Sequence, residues 1–188
     1  MIVTRDEVKA ILNITDDLKD AQIDLFIPFV QQDIIDKTRN NFTQILSVAS
    51  SGFSFVNSTN DIDLVDTSIN LTDYFQAKMD IYISGSLYNN FHFEILTVTA
   101  QKLELNDLVK VIDEDTGEGA TLTYVIFPTP LKMTASLMIN YRIKNIDQNV
   151  KSEKIGKYNV TYRDNKVAVD YPEMILSGLT QYKHASYT

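Results

Sequence analysis

The spacing of apolar residues changes twice along this chain, and that change limits its fold more than any other feature. Before Phe42 and after Pro128 apolar residues recur at helical spacing. Between them they alternate with a period of two: Phe53-Ser-Phe55-Val56, Ile62-Asp-Leu64-Val65, Met79-Asp-Ile81-Tyr-Ile83, Phe91 to Val98, Leu103-Glu-Leu105, Val109-Lys-Val111 and Leu122-Thr-Tyr124-Val-Ile126. A chain of 188 residues is one domain, or one domain with an insertion. The expected class is therefore α+β. Residues 1–42 and 128–188 make a small bundle of about four helices plus a β hairpin, and residues 43–127 form an inserted antiparallel barrel or sandwich of six or seven strands.

Local signals place the helices. Thr4-x-x-Glu7 is a capping box, and Val3 and Val8 occupy the staple positions, so a helix is predicted over Arg5–Leu12. Asp16 or Asp17 is expected to cap a longer helix reaching Lys37. Its run Leu25 to Val30 is too apolar for one stripe, and Pro28 should distort it. Asn70 to Phe75 suggests one helical turn. Pro128 and Pro130 open a helix through Asn145. Ile155 to Tyr162 and Val167-Ala-Val169 read as a hairpin around Arg163-Asp-Asn-Lys166, and Asp170-Tyr-Pro172 starts a last helix with Ile175, Leu176, Leu179 and Tyr182 on one face.

Most chemistry is excluded at this level. There is no cysteine, so disulfides, thiolate nucleophiles and Cys-bound metals are ruled out, and the two histidines, His92 and His184, are far apart in sequence. His92 alternates with Phe91 and Phe93 and reads as a surface or satisfied histidine. Asp113-Glu-Asp115-Thr-Gly-Glu-Gly119 departs from the EF-hand pattern and reads as a hairpin tip. The pairs Asp61/Asp63 and Asp113/Asp115 lack a pocket signature, and Ser84-Gly-Ser86 is no nucleophile elbow. No enzyme activity, cofactor or metal is expected. No apolar stretch is long enough to span a membrane, and the acidic N-terminal segment is unlike a signal peptide, so a protein made in the cytoplasm is expected.

The net charge of −8 argues against gripping nucleic acid, whose affinity comes from Lys and Arg on phosphates. The charge is uneven: residues 43–127 hold 3 basic and 12 acidic residues, while residues 128–188 hold 9 basic and 5 acidic. Lys144, Lys151, Lys154, Lys157, Arg163 and Lys166 form a basic zone near the hairpin, and complementary patches of this kind steer partners into register.

Three stretches carry a resemblance. They are Val3 to Leu12, the long helix with Ile23 to Ile35, and Lys151-Ser-Glu-Lys-Ile-Gly-Lys-Tyr-Asn-Val-Thr-Tyr162 followed by Tyr171-Pro-Glu-Met-Ile-Leu-Ser-Gly-Leu-Thr-Gln-Tyr182. In that order they resemble the head–tail connector (adaptor, or head-completion) proteins of tailed double-stranded DNA phages. The middle looks like a small β barrel module found in phage neck and tail proteins.

The resemblance implies a virion protein of the neck: a homo-oligomeric ring, twelvefold, docked on the portal protein and followed by a downstream neck or tail-terminator protein. Double-stranded DNA would pass through its channel without specific binding. It further implies Tyr182, Lys183, His184 and Tyr187 as portal contacts, and Phe26, Phe29, Lys154, Lys157 and Arg163 at the subunit interface. An alternative from the residues themselves is a carbohydrate- or host-binding β module using Tyr74, Phe75, Tyr82 and Tyr88. A hydrolase ranks behind both.

Overall fold

The computed structural model describes residues 1–116, 119–146, 152–155, 158–161 and 171–183. The chain divides into two compact units, Ile2–Arg39 with Pro128–Thr188, and Asn40–Phe127 with Met1. Among the described residues the fold is mixed α+β, with four α-helices and a seven-stranded antiparallel sheet.

In the helical unit, α1 spans Arg5–Leu12, and both halves of its capping box form, Thr4 Oγ1 with the Glu7 N–H and Glu7 with the Thr4 N–H. Val3 and Val8 are buried, as the staple requires. Helix α2 spans Asp20–Thr38 and runs through Pro28. Neither predicted cap serves it. Asp16 accepts from the Leu18 N–H in a turn, and Asp17 pairs with Lys9 at 2.6 Å, so the helix starts a turn later than expected. Helix α3 spans Leu131–Ile146 and packs on both α1 and α2 through Leu131, Ala135, Met138, Ile139 and Ile143. Lys132 of α3 bridges to Glu7, and Gln31, buried in α2, accepts from the Ile2 N–H at 2.9 Å. The helices at the two ends of the chain thus share one core.

The C-terminal helix is shorter than its pattern suggests. Helix α4 covers Glu173–Leu176 and passes into a 3-10 helix over Ser177–Tyr182. Ile175 and Leu179 are buried against α2 and α3. Gly178 permits this approach, because a Cβ there would stand 2.5 Å from Thr134 Oγ1 on α3. Replacing Gly178 with Val is expected to undock residues 171–183 and to destabilise the helical unit by about 2 kcal/mol. Hydrogen exchange of this segment should rise well above wild type, and unchanged protection would contradict the close fit.

The predicted hairpin is placed differently. Strands Ser152–Ile155 and Tyr158–Thr161 pair with each other, Ile155 opposite Tyr158, so the turn falls several residues earlier than expected. The expected second arm, Val167 to Val169, lies outside the described residues.

The described residues of the β unit form seven strands: β1 Thr43–Ser50, β2 Phe53–Val56, β3 Asp61–Leu64, β4 Asp80–Ser84, β5 His92–Val98, β6 Lys102–Leu105 and β7 Ala120–Val125. The hairpin strands after α3 are β8 and β9. The sheet order is β1-β7-β4-β5-β6-β3-β2, all antiparallel. One face of every strand feeds a single core that includes Val48, Phe53, Phe55, Ile62, Leu64, Ile81, Ile83, Phe93, Ile95, Leu103 and Leu122. The sheet curls around this core, helped by bulges in β1 and β5, yet it is not closed into a barrel, one of the two expected forms. The two edge strands, β1 and β2, are joined by Ser51-Gly52 alone and do not pair along their lengths. A 3-10 turn over Leu71–Asp73 supplies Leu71 and Phe75 to the same core.

Val109 to Val111 does not form the expected strand. Residues 106–113 run irregularly, and side chains satisfy their backbone instead of a ladder. Asn60 donates to the carbonyls of Leu105, Asn106 and Val109 and accepts from the Val111 N–H at 2.9 Å. Asn57 donates to the Val111 carbonyl, and Asn89 makes two bonds to the Ile112 backbone, 2.9 and 2.7 Å.

Gly85 is the second glycine with a visible constraint. Its φ is +81°, and a Cβ there would lie 2.5 Å from the Gly119 carbonyl oxygen, which is backbone and cannot swing aside. Gly85→Ala is expected to cost about 2 kcal/mol or more, read as a lower urea midpoint for the β unit.

Candidate functional site: assembly surfaces of the two units

Within the helical unit, the C-terminal segment is fixed by a three-residue junction. Tyr171 donates its hydroxyl hydrogen to Asp33 Oδ2 of α2 at 2.5 Å, and Arg142 of α3 reaches both, 2.5 Å to the tyrosine oxygen and 2.6 Å to the same carboxylate. The guanidinium also lies over the rings of Phe26 and Tyr171, at 5.8 and 5.7 Å. Burial, reinforced by Asp33, pushes the Tyr171 hydroxyl far above its ordinary value, so it stays protonated and remains a donor. The junction aims the chain from Pro172 onward along α2 and α3. The sequence marks Tyr171 as the start of a helix and of a resembling stretch but not as a junction, because partners 29 and 138 residues away leave no local signal.

The proposed interface residues separate along this frame. Phe26 is buried within the unit, so it packs the bundle and is not offered to a neighbour. Phe29, three residues on, is 54% exposed, and with Leu25, at 55%, it forms an uncovered apolar stripe on α2. Lys154 lies on β8, whereas Lys157 and Arg163 fall outside the described residues. Among the portal-contact residues Tyr182 is half-buried and Lys183 exposed at the end of the 3-10 helix. His184 and Tyr187 lie outside the described residues.

In the β unit, His92 is not at the surface but satisfied in the interior, 6% exposed. Its ring packs between Tyr82 and Phe127, centroids 4.7 and 5.8 Å away, and its Nε2 sits 3.0 Å from the Asn41 carbonyl oxygen. That acceptor fixes the neutral tautomer with hydrogen on Nε2. Burial holds the imidazole down at about 4.

The aromatics considered for ligand binding do not gather on one open face. Phe75 is core and Tyr74 is half-buried against that core; Tyr82 covers His92, and Tyr88 alone is exposed. Tyr88 sits on a loop held by Glu114, whose carboxylate accepts from Ser86 Oγ at 2.6 Å, the Leu87 and Tyr88 N–H groups and Asn89 Nδ2. Burial pushes the Glu114 carboxyl up, but these donors outweigh it and its pKa is lowered.

One member of each acidic pair has a structural partner. Asp61 is buried beside Lys102 at 2.5 Å, and Asp113 accepts from the Asn57 N–H. No group of three metal-ligating side chains occurs among the described residues. An open cavity of about 460 Å³ is lined by Thr72, Phe75, Gln76, Ala77, Leu96, Thr97 and Val98, with no ionisable side chain. Among the described residues no helix is long and apolar enough to cross a membrane. No family model and no curated protein matches this chain.

Proposed function

We propose that this chain is a structural, non-catalytic subunit of the connector between head and tail of a tailed double-stranded DNA phage. Identical copies form a ring, twelvefold by the family resemblance, with the portal protein on one side and a neck or tail-terminator protein on the other. The ring extends the DNA channel, and a net charge of −8 suits passage of the duplex over binding to it. The β unit, a curled sheet with a seam, takes the place of the small barrel module.

The observation that carries this reading is the common destination of the resembling stretches. Val3 to Leu12 supplies the staple, cap and body of α1, Ile23 to Ile35 lies in α2, and Tyr171 to Tyr182 is held on α2 and α3 by the Asp33–Arg142–Tyr171 junction. The open stripe of Leu25 and Phe29 suits a helix packed between neighbours in a ring. On this reading Phe29, Lys154, Lys157 and Arg163 face adjacent copies, and Tyr182, Lys183, His184 and Tyr187 reach the portal, tyrosine being favoured at interfaces for its area and low entropy cost.

The test mixes the purified chain with the portal protein encoded by the same phage and images the product. Rings seated on the portal are expected, and a chain ending at Gln181 should lose portal co-sedimentation at least tenfold. A full-length chain that never associates with that portal overturns the proposal.

A further inference from the structure

The two edges of the seven-stranded sheet are treated differently. Edge β2 is covered: the Phe55 N–H and carbonyl both bond to the backbone of Glu114, at 2.9 and 3.1 Å, and the Asn57 N–H is taken by the Asp113 carboxylate. Edge β1 pairs with β7 on one side and with no other strand among the described residues. Native sheets usually guard such an edge with a charge or a proline, because its unpaired backbone groups recruit another strand. This one has neither. From Asn40 to Asn60 the chain contains no Asp, Glu, Lys, Arg or Pro.

Side chains along β1 point to the same conclusion. Its burial is inverted relative to a normal strand, since only Val48 is buried. Thr43 lies opposite Val125 and Ser47 opposite Thr123, so Gln44, Ile45 and Leu46 bulge out against one residue of β7. Ile45 at the middle of this bulge is 101% exposed, and Leu46 is exposed beside it. A bulge alone would protect an edge by bending it away. Here Ser47 to Ser50 remain in regular register, with small side chains at Ser47, Ala49 and Ser50 that let another backbone approach.

We infer that β1 is a self-association edge, which pairs antiparallel with β1 of a second copy about a two-fold axis near Ser47–Ser50 and buries Ile45 and Leu46 of both chains. Charge selects the occupant. Two copies of a chain carrying −8 repel, and a strand within 21 charge-free residues is where they approach with least penalty. Edge protection selects the register, because β2 is already occupied and β1 is the bare sheet edge that a second copy offers. The contact is isologous. It does not rest on the connector proposal, whose ring contacts are head-to-tail.

The test uses the full-length chain. Light scattering over a hundredfold range of concentration is expected to show the mass rising from 21.4 kDa toward twice that value. Ile45→Lys should hold it at the monomer mass with an unchanged thermal midpoint. Because the chain has no cysteine, single replacements report geometry without background: with the two-fold at Val48, Ser47 stands opposite Ala49 of the second copy, so Ser47→Cys chains mixed with Ala49→Cys chains should give disulfide-linked dimers on mild oxidation, and exposed Ser68→Cys should not. A wild-type mass that stays monomeric, association that survives Ile45→Lys, or equal cross-linking at Ser68 would each overturn the inference. Rings indifferent to Ile45→Lys and lacking β1 cross-links would sink it while leaving the connector proposal standing.

Discussion

Replacing Asn60 with Ala is expected to lower the stability of the β unit by about 4 kcal/mol, enough to unfold it at moderate temperature. Asn60 is fully buried with φ +58°, a left-handed conformation that Asn tolerates better than Ala. Its side chain uses both ends: three carbonyls take its amide hydrogens and the Val111 N–H donates to its oxygen. Truncation leaves these groups buried and unpaired, at about 1–3 kcal/mol each where water cannot reach them. Asn60→Asp is the sharper variant. It keeps the shape but turns a donor toward three carbonyls into a carboxylate, so it should be at least as damaging as Ala. Urea unfolding followed by hydrogen exchange in residues 103–112 checks both, and a tolerated Asp would refute the role assigned to the amide.

Acid should weaken the same unit through His92. The folded imidazole titrates at about 4, against 6.5 for an unburied one, so the unfolded chain takes up the proton first as pH falls. Stability is therefore undiminished above pH 6.5, declines from there, and has lost about 3 kcal/mol from this group by pH 4, at about 1.4 kcal/mol per unit. Glu114, held below the ordinary carboxylate value, extends the loss at still lower pH, because it stabilises the fold only while ionised. His92→Gln should flatten the dependence between pH 6.5 and 4 while lowering stability at pH 7, where the packing against Tyr82 and Phe127 is lost. A wild-type urea midpoint that stays constant from pH 7 to 4.5 would rule this out.

The helical and strand segments were legible where the signal is local. The Thr4–Glu7 box and the Val3/Val8 staple specify α1 to the residue, and alternation specifies β2 and most of β3 to β7. Strand β1 left no such trace, because exposure on both faces removes the alternation that marks a half-buried strand. Val109 to Val111 misled in the opposite sense: it alternates, yet three asparagine side chains from two distant turns compete for its backbone and win. The site was harder still. Phe26 and Phe29 stand in one apolar run, and their opposite fates depend on which face α3 covers, information held in the other end of the chain. The Asp33–Arg142–Tyr171 junction depends on folding in the same way. What the sequence offered there was the right residue types, without the distances that make them a unit.

The β unit begins and ends at one place: Thr43 is the register partner of Val125, the Ile126 N–H bonds to the Phe42 carbonyl, and the Phe42 and Phe127 rings lie 5.3 Å apart. To the polypeptide on either side, eighty-odd residues are therefore no more than a short stitch, with little closure entropy beyond that of a tight turn. Chain ends held this close are how a compact scaffold acquires new surface while keeping its own core.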